Sequence, residues 1–152
     1  MESKLILLET TPWMPNPQRN WAIEFHRPME SFDPSRISLH LEPDQNRTPI
    51  PGVVLAEKLR TMGLNSNVAR YLLSHTDLIP EKWKDKIHGQ QTRIFFWGTI
   101  LKSAEDGEPY VIYISWGPID DNEYTWDWHV LHIPSHEWPD NYPAAVLATG
   151  ET

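Results

Sequence analysis

Residues 93–101 read Arg-Ile-Phe-Phe-Trp-Gly-Thr-Ile-Leu, and residues 110–116 read Tyr-Val-Ile-Tyr-Ile-Ser-Trp. Aromatic and β-branched side chains dominate both stretches, and this composition is typical of β-strands. The Ser-Ala-Glu-Asp-Gly run at residues 103–107 lies between them and is typical of a turn. The two stretches therefore predict an antiparallel hairpin.

A third strand is predicted at residues 124–133, between a turn at residues 117–122 and Pro134. Successive side chains of a strand point to opposite faces. One face of this strand would carry Tyr124, Trp126, Trp128 and Val130, and the other Thr125, Asp127 and His129. We therefore expect a three-stranded antiparallel meander at the C-terminal end, with a row of tryptophans on one face.

The middle of the chain, residues 52–88, predicts a short helical pair. Apolar residues recur at helical spacing from residue 54 to residue 62, and Gly63 follows where a left-handed residue would end the helix. Asn65 or Ser66 can cap a second helix that runs to about His75. Pro80 forbids its extension.

Residues 1–51 hold more than half of the fourteen prolines. Residues 21–25 and 37–41 alternate between apolar and polar and predict short strands, which the prolines would confine to edges. With the helical part and the sheet at residues 93–148, the whole chain, residues 1–152, predicts a single α+β domain.

The net charge of −8 belongs to the C-terminal part of the chain. Counted by segment, residues 1–50 carry −2, residues 51–92 carry +2 and residues 93–152 carry −8. Such an acidic surface repels phosphate backbones and attracts basic surfaces. We expect a protein partner with a basic surface and no direct contact with nucleic acid.

The chain contains no cysteine, which excludes disulfides and thiolate metal sites and favours a reducing, cytoplasmic location. The apolar run at residues 5–8 is far shorter than a signal peptide core or a membrane span. We expect no membrane association and no cofactor.

Histidine and carboxylate side chains gather at His129, His132, His136 and Glu137, and such groups can ligate a metal. A three-residue step along a strand, however, places His129 and His132 on opposite faces. A metal-dependent hydrolase is therefore only an alternative interpretation, and no catalytic residue is predicted.

Several C-terminal motifs resemble those of a group of uncharacterised bacterial proteins. They are Ile94-Phe-Phe-Trp-Gly-Thr-Ile100, Tyr113-Ile-Ser-Trp116, Trp126-Asp-Trp128 and Pro143-Ala-Ala-Val-Leu-Ala148, together with Leu78-Ile-Pro-Glu-Lys-Trp83. The resemblance spans residues 53–148 and implies no activity, cofactor or partner.

The tryptophans are the most unusual feature of the composition, since eight occur in 152 residues. Tryptophan is enriched among interface hot spots, and surrounding acids steer cationic partners. We therefore predict a non-enzymatic binding protein that contacts a basic protein. The predicted contact residues are Asp120, Asp121, Glu123, Trp126, Asp127 and Trp128. An acidic inhibitor that mimics nucleic acid and a carbohydrate-binding module are further alternatives.

Overall fold

The computed structural model describes residues 5–15, 20–120 and 123–148. These residues form a mixed α+β structure, rich in antiparallel sheet, so the predicted α+β class is confirmed. The helices are α1 (Gly52–Leu59) and α2 (Ser66–Ser74). The strands are β1 (Ile6–Leu7), β2 (Trp21–His26), β3 (Ser31–Phe32), β4 (Ile37–His40), β5 (Ile50–Pro51), β6 (Lys86–Ile87), β7 (Gln90–Gln91), β8 (Arg93–Ser103), β9 (Pro109–Pro118), β10 (Tyr124–His132), β11 (Glu137–Trp138) and β12 (Ala144–Leu147).

Six strands form the central sheet, in the order β10-β9-β8-β12-β4, with β2 also paired to β8. β8, β9 and β10 are antiparallel neighbours in chain order. β12 runs parallel to β8 and antiparallel to β4. The sheet is thus larger than the predicted three-stranded unit, because β2, β4 and β12 also belong to it.

The far side of β8 is shared by two strands. Ala144 of β12 pairs with Phe95, whereas β2 pairs with the stretch from Thr99 to Ser103. Between the two partners the chain segment before α2 reaches β8, and the amide of Gly98 donates to the carbonyl of Leu64 at 3.0 Å. A side chain at Gly98 would collide with this segment, since its Cβ would lie 2.8 Å from that oxygen.

α1 ends at Leu59, and Gly63 does not adopt the predicted left-handed conformation; of the described glycines only Gly89 and Gly107 have positive φ. The reason for glycine at position 63 is close packing. A Cβ there would lie 3.0 Å from Cβ of Trp97 and 3.1 Å from the carbonyl oxygen of Leu59. The prediction for α2 is confirmed, because Asn65 caps it through bonds from the amides of residues 67 and 68.

Apolar clusters cover both faces of the sheet. α2 packs on one face with a cluster that includes Phe96, Ile114 and Trp126. α1 and β11 pack on the other face, around Phe95, Trp97, Tyr113 and Trp138. Among the helices of the described residues, none is long and apolar enough to span a membrane.

Candidate functional site

The acidic side chains of the C-terminal part are spread over two turns of the sheet, over β10 and over the segment that holds Glu137 and Asp140. The β8–β9 turn carries Glu105, Asp106 and Glu108, and the β9–β10 turn carries Asp120. These turns are at opposite ends of β9, whose ten residues span roughly 30 Å at ~3.3 Å per residue. The acidic excess therefore does not form one patch, because these two turns alone lie at opposite ends of the sheet.

The predicted acids are exposed where the structure describes them. Asp120 and Glu123 lie at the β9–β10 turn, and Oδ1 of Asp120 accepts a hydrogen bond from the amide of Glu123 at 3.1 Å. Asp127 lies on β10 with its side chain in solvent. Asp121 lies outside the described residues. The acids thus occupy one end and one edge of the sheet.

The two predicted tryptophans are not an exposed platform. Trp126 is only 8% exposed, and its ring lies 5.6 Å from that of Trp116 within the cluster under α2. Trp128 is half-buried and meets Trp13 edge to face, with ring centroids 6.1 Å apart. Because α2 and residues near Trp13 cover this face of β10, the two tryptophan rings pack against these covering residues.

Tyr124 is the exposed aromatic residue of this end, with 46% of its surface accessible, and sequence reasoning left it out of the site. Its ring stacks on Trp116 with centroids 6.0 Å apart and an interplanar angle of 21°. Nζ of Lys84 lies 4.0 Å from the centroid of the same tryptophan. Ile119 in the turn is 62% exposed. The feature of the sequence that could have indicated Tyr124 is its position next to a turn, at the start of a strand.

β10 is an edge of the central sheet: β9 pairs with one side of it, and no described strand pairs with the other. Just after β10, the amide of Ile133 donates to the carbonyl of Pro109 at 3.0 Å, so the odd-numbered residues direct their main-chain groups to β9. These directions alternate along an antiparallel strand. The main-chain groups of Trp126, Trp128 and Val130 therefore point away from the sheet.

A second group of polar and aromatic residues crosses the opposite face of the sheet. The guanidinium of Arg93 lies 5.0 Å from the ring of Tyr113 and 5.1 Å from that of Tyr142, and His129 stacks on Tyr113 at 5.2 Å. Burial raises the pKa of Tyr113, partly offset by Arg93. Sequence reasoning missed this row, because Arg93 and Tyr142 are brought together only by the fold.

The histidines at and just after the end of β10 contact nearby residues. Nδ1 of His132 lies 2.6 Å from Oγ of Ser135, and its Nε2 lies 3.2 Å from Oε1 of Glu108. His136 contacts Ser135 and the main chain of residue 132. His129 lies apart, against Tyr113. The residues that the structure describes contain no group of three metal-ligating side chains.

Clefts occur away from the predicted site. One of about 240 Å³ lies between the N-terminal segment and α2, lined by Leu8, Asn67, Arg70 and Tyr71 among others. Another, of about 450 Å³, lies beside residues 44–51. None of the predicted contact residues that the structure describes lines either of these two clefts.

Comparison of the chain with protein-family models, curated proteins and solved structures finds no match.

Proposed function

We propose that this protein is a non-enzymatic binding protein that contacts a basic protein partner at the β9–β10 end of its sheet. The observation that supports the proposal most is the coincidence of acids, an exposed aromatic ring and an open strand edge. We call this surface the acidic edge and define it as Asp120, Glu123, Tyr124 and Asp127.

Charge would bring the partner to this surface. Glu123 and Asp127 are exposed, and neither forms an ion pair with a cation of the described residues. Exposed charges of one sign raise the association rate of an oppositely charged partner more than they raise its affinity. The acids therefore set the rate and the salt dependence of association.

Tyr124 would supply the apolar contact. Its ring is exposed on one side and rests on Trp116 on the other, so it is held in place before binding. Aromatic residues with a fixed orientation are frequent interface anchors. Trp126 and Trp128 contribute by holding β10 against α2 and Trp13, and not by direct contact with the partner.

The test starts with affinity capture from the native cell and measures association of the captured basic protein. Changing Asp120→Asn, Glu123→Gln and Asp127→Asn together should slow association about tenfold at low salt and flatten its salt dependence. The charge-matched control is Glu105→Gln, Asp106→Asn and Glu137→Gln, away from the acidic edge. Equal slowing by both triple variants, or by neither, would contradict the proposal.

A further inference from the structure

The outer side of β10 has main-chain hydrogen-bonding groups that no strand of the described chain uses. The amide of Trp128 donates to Oδ1 of its neighbour Asp127 at 2.8 Å. The carbonyl of Trp126 accepts from the hydroxyl of Thr125 at 3.3 Å. Side chains of the strand itself thus occupy two of its outward groups.

We propose that β10 binds its partner by strand addition, as the edge onto which an extended segment of a basic protein pairs antiparallel. This inference rests on the proposed function and specifies how the partner is held. Unpaired strand edges are templates for such pairing, and main-chain hydrogen bonds then supply affinity while alternate side chains supply specificity. β10 is nine residues long, enough for several such bonds.

Asp127 has different partners when the edge of β10 is free and when a strand is added to it. In the free protein its carboxylate accepts a hydrogen bond from the Trp128 amide. This bond protects the edge from pairing with unrelated strands. When a carbonyl of an added strand accepts the hydrogen bond of that amide instead, the carboxylate is released and lies beside the added strand. A cationic side chain placed opposite Asp127 then gains an ion pair, whereas an acidic one meets repulsion. The edge therefore selects for basic strands.

The two faces of β10 define the pattern of the added strand. Asp127 and His129 are exposed on one face, and Trp128 and Val130 are half-buried on the face that α2 covers. Directly opposed residues of an antiparallel pair carry their side chains on the same face. The partner segment should therefore alternate between basic residues, facing Asp127, and apolar residues, facing Trp128. A second copy of this chain fits poorly, because each copy carries a net charge of −8.

The geometry also specifies which partner amides matter. The main-chain groups of Trp128 point outward, so the residue opposite it forms a hydrogen-bonded pair and shares its face. That residue is apolar in the proposed pattern. The amides of the apolar residues should therefore bond to β10, and the amides of the basic residues should point away from it.

The experiment uses an octapeptide of alternating lysine and valine, acetylated and amidated at its ends, titrated against the whole protein. Two versions carry N-methyl groups, one on every valine amide and the other on every lysine amide. The valine version should bind about tenfold more weakly than the lysine version, since it loses at least two main-chain hydrogen bonds. NMR shifts should concentrate at the amides of Trp126, Trp128 and Val130.

A matched pair of protein variants tests the same edge. The Val130 amide points outward, so Val130→Pro removes a donor without removing a bond to β9. Val130→Ala keeps the donor and is the control for lost side-chain volume. Val130→Pro should bind the lysine–valine peptide about tenfold more weakly than Val130→Ala does. Urea unfolding of both variants measures their stability.

The outcomes separate the two proposals. Equal affinity of the two N-methylated peptides, or no binding of the parent peptide, overturns strand addition and leaves a basic partner at the acidic edge untouched. Strand addition stands if a glutamate–valine peptide binds as tightly as the lysine–valine peptide and N-methylation of the valine amides still weakens binding. In that case the basic nature of the partner is wrong.

Discussion

The ring of Trp138 occupies the space that a side chain at Gly52 would need. A Cβ at position 52 would contact Cζ3 of Trp138 and would lie 2.6 Å from the carbonyl oxygen of Ile133. Gly52 begins α1, and Trp138 is fully buried in β11. The contact lets the start of α1 and strand β11 pack on the same face of the sheet.

We expect Gly52→Ala to lower the free energy of unfolding by about 1–3 kcal/mol, because the added methyl group meets a ring and a main-chain oxygen that cannot both move freely. Urea unfolding measures this loss. Gly117→Ala is the control, since among the described atoms its Cβ would meet only Oε1 of Gln91, at 3.6 Å. It should change stability by less than about 0.5 kcal/mol. Similar losses in both variants would contradict the packing argument.

Trp97→Ala should cost about 3–5 kcal/mol, because its ring is fully buried between Phe95 and Trp138 and the substitution leaves a cavity. Trp97→Phe should cost less, since the indole N–H has no hydrogen-bond partner and only packing is lost. Chemical denaturation of both variants tests the order. A loss below about 1 kcal/mol for Trp97→Ala would show that the cluster repacks.

Three hydrogen bonds of 3.2 Å or shorter hold the side chain of Asn65 at the start of α2. Its Oδ1 accepts from the amides of Asn67 and Val68 at 3.0 and 3.2 Å, and its Nδ2 donates to the carbonyl of Arg27 at 2.9 Å. Asn65→Ala should therefore cost about 2–3 kcal/mol, more than a simple helix cap. Ser74→Ala, at the exposed end of the same helix, should be nearly neutral in the same urea experiment. Equal effects would contradict the assigned role of Asn65.

We expect Glu42 to make the free energy of unfolding fall at acid pH. Hydrogen bonds with His40 and then with Lys58, at 2.8 and 2.6 Å, lower the pKa of this buried carboxyl below its usual value. A lowered folded pKa contributes stability above the unfolded value, roughly 4.3, which is lost as pH falls through the folded value. Glu42→Gln should flatten this acid limb in unfolding measured from pH 7 downward.

The control for Glu42 is Asp44→Asn, which changes an exposed carboxylate bonded to Arg47. This variant should keep the acid limb of the unmodified protein. If Glu42→Gln and the unmodified protein lose stability in parallel as the pH falls, the charge cluster of Glu42 does not stabilise the fold.

Burial on the tryptophan side of β10 could not be predicted from the sequence. Alternation correctly puts Trp126 and Trp128 on one face, but it does not say which face is covered. α2 and Trp13, at least fifty residues away in sequence, cover it. Tyr124 shares this face and stays exposed, because it lies beyond the covering elements at the end of the strand. The contact surface that we propose therefore consists of Tyr124 and the acids and not of the tryptophans.

By itself, the sequence determined the mixed α+β class, the course of α2 with its start at Asn65 or Ser66, and the strand segments around residues 93–132, because alternation, turn residues and caps act within a few positions. Only the tertiary structure decided that β12 lies parallel beside β8, that β2 and β4 join the same sheet, and that β10 is left as an edge. These are pairings between distant segments. Local patterns do not encode them, because they depend on which buried surfaces fit together once the chain has closed its long loops.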